Sequence, residues 1–91
     1  MTPENASDIA ISGLQFIAGD TEQLSRFVSL TGMAPDEIRE MAGTSGFMIA
    51  ILDYLLGDEP TLLAFASGAG IAPEDIQKAK FALDPGSLAE F

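Results

Sequence analysis

The sequence predicts an all-α fold, a compact bundle of about six short helices built from two repeats of a three-helix unit, and three observations lead there. No segment alternates apolar and polar residues as a strand does. Glycines and prolines punctuate the chain at helix-length intervals, with capping residues beside them. The chain also matches itself without a gap at an offset of 38, so that Gly19, Phe27 and Pro35 align with Gly57, Phe65 and Pro73. Residues 9–42 align with 47–80, and 11 of 34 pairs are identical, including Ile11/Ile49, Leu14/Leu52, Asp20/Asp58, Leu24/Leu62, Gly32/Gly70 and Ile38/Ile76. Phe16/Tyr54, Asp36/Glu74 and Glu37/Asp75 keep their physical type. A unit of this length cannot bury its apolar faces alone, so two fused copies sharing one core, related by a pseudo-twofold axis, are favoured over a fragment of a longer solenoid.

Taken in order, Thr2-Pro3-Glu4 reads as a cap followed by a proline in the first helical turn, so the first helix starts near residue 3 despite the interior Gly13. It runs to about Ala18, where Gly19 is expected to close it in the left-handed conformation, as Gly57 is in the second copy. Asp20 and Asp58 then open the next helices by accepting from free N–H groups, and Asp20-Thr-Glu-Gln23 has the spacing of a capping box. Gly32 and Gly70, each followed by an apolar residue (Met33, Ile71), predict Schellman closures. Pro35 and Pro73 open the third helix of each copy, and the acidic pairs behind them suit the positive end of the helix dipole. Thr44 or Ser45 caps the first helix of copy two, whose nearly all-round apolar sequence from Phe47 to Leu56 makes it the expected central element. Asp84-Pro85-Gly86 ends the last helix near Leu83 and leaves a tail, so that residues 84–91 form a terminal turn and tail on a single domain spanning 1–91.

Composition removes many functions. With 91 residues, 47% of them hydrophobic and 20% charged, the chain forms a core and is not a disordered segment. Fourteen acids against four bases (Arg26, Arg39, Lys78, Lys80) give a net charge of −10, which repels phosphate backbones and anionic membranes, so neither direct nucleic-acid binding nor membrane association is expected. There is no Cys and no His. Thiolate nucleophiles, imidazole bases and nearly all zinc sites go with them, and no cofactor is expected. The most apolar run, Phe47 to Leu56, is about half of the roughly 20 residues needed to span a bilayer. Residues 1–8 carry two acids and no Lys or Arg, unlike a secretory or transit leader, so a cytoplasmic location is expected.

Each remaining polar candidate has a structural reading beside it. Asp20 and Asp58 are paired carboxylates able in principle to share a proton or a cation, but both sit where helix caps belong. Asp53 is the one charge in the apolar run and precedes Tyr54, the only Tyr. Asp53, Tyr54 and Arg26 are therefore candidate handles of a polar pocket between the copies. On a helical wheel Asp53 shares a strip with Gly46, Ala50 and Gly57, and the matching strip of copy one reads Asp8, Ser12, Gln15 and Gly19, which favours an Asp53 that is solvated or else salt-bridged, with Arg26 or Arg39 as the partner. No glycine set forms a phosphate-binding loop; Gly68-Ala69-Gly70 ends a helix. The apolar excess is the better lead. Where copy one has Ser25, Arg26 and Gly43, copy two has Leu63, Ala64 and Phe81, and with Phe91 these mark Leu63, Phe81 and Phe91 as a candidate interaction patch.

The patterns Leu14-x-Phe16-Ile17-x-x-Asp20-x-x-x-Leu24-x-x-Phe27-Val28-x-x-Thr31-Gly32 and Phe47 through Leu52-Asp53-Tyr54-Leu55-Leu56-x-Asp58-Glu59-x-x-Leu62-x-x-Phe65 resemble an uncharacterised family of short bacterial proteins catalogued as a domain of unknown function. The resemblance spans most of the chain. It implies an all-helical fold and a bacterial source, and it carries no activity, ligand or catalytic residue. The expected function is a non-enzymatic interaction module that binds a protein partner or forms a homodimer through an apolar patch with an acidic rim. A small-molecule or cation-binding module and an acidic decoy for a nucleic-acid-binding protein are the alternatives.

Overall fold

In the computed structural model, which describes residues 1–84, Thr2 opens the first helix as the sequence predicts, its hydroxyl accepting from the Asn5 N–H at 3.2 Å. Six helices follow: α1 Pro3–Ala18, α2 Thr21–Thr31, α3 Pro35–Met41, α4 Ser45–Leu56, α5 Glu59–Ala69 and α6 Pro73–Leu83, with no strand among the described residues. Thr44, not Ser45, caps α4, its hydroxyl accepting from the Phe47 N–H at 3.2 Å. The expected turn at residues 84–86, the tail and Phe91 lie outside the described residues beyond Asp84.

Two closures depart from expectation. Gly19 and Gly57 end α1 and α4 in right-handed geometry, with φ of −80° and −77°, because each N–H still bonds the carbonyl four residues back (Gln15 and Asp53, 2.9 Å each). A Cβ at either position would stand 3.1 or 3.2 Å from that same carbonyl oxygen, so the glycine relieves crowding where it was expected to supply a left-handed turn. Gly32 and Gly70 are left-handed, φ 73° and 68°. Only Gly70 makes the full Schellman pair, Ile71 N–H to Ala66 O at 2.9 Å and Gly70 N–H to Ser67 O at 3.4 Å. Gly32 makes the single bond to Val28 O, and the Met33 N–H turns to the Thr31 hydroxyl instead.

The core contains Phe27, Phe47, Phe65, Ile17, Ile51, Leu52, Leu55 and Ile76, each about 2% exposed or less. Fully burying side chains of this size contributes about 1.5–3 kcal/mol apiece. α4 supplies four buried residues, yet it is not the sole centre, because α1 packs on α6, α4, α2 and α5. Its buried stripe is Ala6, Ala10, Gly13 and Ile17, of which the first three are small and let neighbouring helices approach. A Cβ on Gly13 would meet Leu55 Cδ1 at 2.9 Å and Ile51 Cγ2 at 3.0 Å, so the missing side chain is where α4 seats. The helices do not pack as two equal halves. α6 sits against both α1 and α4, whereas α3, its counterpart in the sequence repeat, packs only lightly. Ala79 of α6 is fully buried where the aligned Met41 of α3 stands 41% exposed, and α3 has 7 residues against 11.

Candidate functional site

Tyr54 of α4 is half-buried, and its ring sits edge-on to Phe27 with centroids 5.3 Å apart. Its hydroxyl donates to Gln23 Oε1 at 2.7 Å. That contact explains why Gln23 does not complete the capping box with Asp20. Arg26 lies 3.7 Å from Asp58, linking α2 to the start of α5. Burial holds the Tyr54 hydroxyl above its ordinary pKa; the Arg26 charge opposes this, and the Asp58 and Asp20 charges add to it. A phenol pushed upward is a poor proton donor or acceptor near neutrality.

The paired carboxylates are engaged as caps. Asp20 Oδ1 accepts from the Glu22 N–H at 2.9 Å and the Gln23 N–H at 3.3 Å. Asp58 Oδ2 accepts from the Thr61 hydroxyl at 2.5 Å and the Thr61 N–H at 3.2 Å. These bonds hold the Asp58 carboxyl below its usual pKa, with the Arg26 charge assisting and burial opposing. Among the described residues no group of three or more acids gathers in a way that could hold a metal ion.

Asp53 leaves the expected constellation. It pairs with Lys80 of α6 at 2.5 Å, not with Arg26 or Arg39, because α6 packs on α4 along the strip that carries Asp53, while Arg26 faces α5. The Asp53 hydrogen bond, with the Asp53 and Asp84 charges, holds Lys80 above its ordinary pKa against the opposing effect of burial. Arg39 is 4.0 Å from Asp36 and Lys78 is 3.8 Å from Asp75, both within one helix and largely exposed. All four cations of the chain thus face a carboxylate of the same chain. Of the proposed patch, Leu63 is 48% and Phe81 43% exposed. Leu30 (72%) and Ile11 (44%) are exposed as well, and sequence comparison of the copies did not single them out.

An open groove of about 460 Å³ between α1 and α5 was also missed. Ser12, Gln15, Phe16, Phe65, Gly68 and Ala69 line it. The Phe16 and Phe65 rings lie 5.5 Å apart there. Its α1 wall belongs to the strip Asp8, Ser12, Gln15 and Gly19 that helical spacing already marks as polar. The signal on the other wall was Gly68, a glycine within a helix that nothing in the local sequence requires.

A family model described as "Protein of unknown function (DUF3572)" matches residues 3–86, which takes in all six helices. The chain belongs to this family. Membership in DUF3572 agrees with the resemblance read from the helix patterns and assigns no ligand, activity or partner. No curated protein and no solved structure matches the chain. Among the described residues of this DUF3572 member, no helix is long and apolar enough to cross a membrane.

Proposed function

We propose that this domain is a non-enzymatic protein-interaction module of the bacterial cytoplasm, which offers apolar side chains within a carboxylate-rich surface to a protein partner or a second copy. One observation supports the reading above others: Leu63 and Phe81 stand about half exposed on a chain of net charge −10 whose four cations already face its own acids. A partner fitting such a surface covers the apolar groups and supplies cations to the rim. The engagement of Asp20, Asp58 and Tyr54 in caps and in a hydrogen bond between helices supports the absence of catalysis.

The test compares wild type with Leu63→Glu. Both are recovered from lysate of the native host at low and high salt, and both are weighed by light scattering over a range of concentrations. A stoichiometric partner or a concentration-dependent dimer is expected, surviving high salt and weakened in the variant at unchanged helicity. Undiminished association of Leu63→Glu rejects the patch. Association lost in high salt points to the acidic decoy, and a monomer without partner in both washes rejects the module.

A further inference from the structure

The groove between α1 and α5 carries a more specific reading, which rests on the interaction-module proposal. Phe16 presents a half-buried ring to it, Phe65 lies beneath as part of the core, and its α5 wall is Gly68 and Ala69. Gly68 has no internal reason to be glycine. It lies inside α5 without a positive φ, and a Cβ added there meets nothing within 4 Å. The contrast is Gly13, whose added Cβ would strike two core side chains.

Charge decides the occupant. Asp8 and Glu4 share the outward face of α1 with Ser12 and Gln15, one and two turns toward its N-terminus, about 6 Å per turn of four residues. Both are exposed, and neither has an ion-pair partner among the described residues, since every Lys and Arg faces another acid. Ile11, 44% exposed, borders the same face. The described residues contain no sheet edge on which an extended peptide would add as a strand. Small residues on the α5 wall let a helix backbone come close, as helix-in-groove docking requires.

We infer that the α1/α5 groove docks a cationic amphipathic helix of a partner protein, its apolar side chains on Phe16 and over Gly68 and Ala69 and its Lys or Arg side chains against Asp8 and Glu4. A second copy of this chain is a poor occupant, because it brings the same excess of acids.

The probe is a synthetic peptide of about four helical turns, with Leu and Ala on one face and Lys on the other. A control peptide keeps the apolar face and replaces Lys with Glu. Each is titrated at physiological salt into the isotope-labelled full chain, and amide shifts are followed by NMR. The Lys peptide is expected to move Ser12, Gln15, Gly68 and Ala69, and the Glu peptide to move none of them. Gly68→Leu is expected to weaken binding about tenfold or more, as obstruction of a docking pocket does, without lowering the melting temperature. The pair Glu4→Gln and Asp8→Asn is expected to weaken it several-fold. Diffuse shifts over the acidic surface that Gly68→Leu leaves unchanged overturn the groove. Equal binding of the Glu peptide overturns the assigned chemistry. Shifts confined to Leu63 and Phe81 overturn the groove while leaving the interaction module standing, and the lysate experiment judges that module separately.

Discussion

Gly13 and Gly68 are both helical glycines, and the structure gives replacement by alanine opposite signs at the two positions. In either case alanine removes the entropic disadvantage of glycine within a helix, a gain of about 0.5–1 kcal/mol. At Gly68 nothing opposes that gain, since the new methyl group meets no atom within 4 Å. At Gly13 the methyl arrives 2.9 Å from Leu55 Cδ1 and 3.0 Å from Ile51 Cγ2. Leu55 and Ile51 are 0% and 1% exposed, so neither can swing into solvent and α1 must move away from α4. Overpacking of this kind costs about 1–3 kcal/mol. The sum is a loss of up to about 2.5 kcal/mol for Gly13→Ala against a gain of about 0.5–1 for Gly68→Ala. In a domain of this size each kcal/mol moves the melting temperature by about 4–8 °C. Thermal unfolding followed by circular dichroism therefore separates the two variants in sign. If Gly13→Ala stabilises as much as Gly68→Ala, the close approach of α1 and α4 is wrong.

Two further outcomes follow from the core and from the caps. Phe27→Ala removes a ring that is 0% exposed and edge-on to both Phe47 and Tyr54, a loss of about 3–5 kcal/mol. Set against a whole-domain stability of about 5–15 kcal/mol, it leaves a marginal fold with a shallow denaturant midpoint, whereas Leu30→Ala, at a side chain 72% exposed, shifts the midpoint little. Equal effects of the two would refute the assigned core. Because the folded state lowers the Asp58 pKa, ionised Asp58 stabilises the fold above its unfolded value of about 4, and this stabilisation disappears as pH falls through the folded value. Asn still caps a helix, so the difference in melting temperature between wild type and Asp58→Asn isolates the charge, begins to narrow at about pH 4 and closes once the pH is below the folded value. A gap unchanged through strong acid would mean that the charge does not contribute.

Local chemistry made most of the helix plan legible. Thr2, Asp20, Thr44 and Asp58 cap helices with hydrogen bonds that span two or three residues, and Pro35 and Pro73 sit at first positions for reasons confined to one turn. Such interactions depend on neighbours in sequence, so reading the chain suffices to find them. The helical wheel likewise marked the polar strip of α1, because a period of 3.6 residues is a property of the chain alone. At Gly19 and Gly57 the same local reasoning erred, since glycine is compatible with either hand and the bond from its N–H to the carbonyl four residues back keeps the right-handed one.

What the sequence left open was which helix meets which. The sequence offered Asp53 the cations Arg26 and Arg39, whereas the packing of α6 along α4 made Lys80 its partner. Gln23 had capping-box spacing, but Tyr54 arrived from another helix and took its side-chain oxygen. The duplicated text suggested two equal halves, yet Ala79 and Met41 differ in volume at aligned positions, and α6 lies deep where α3 lies at the surface. The groove beside Gly68 belongs to neither copy, since one wall comes from α1 and the other from α5. Caps, turns and periodicity are short-range and were therefore determined by the sequence itself, whereas ion-pair partners, burial depth and the groove are relations between helices that only tertiary packing decided.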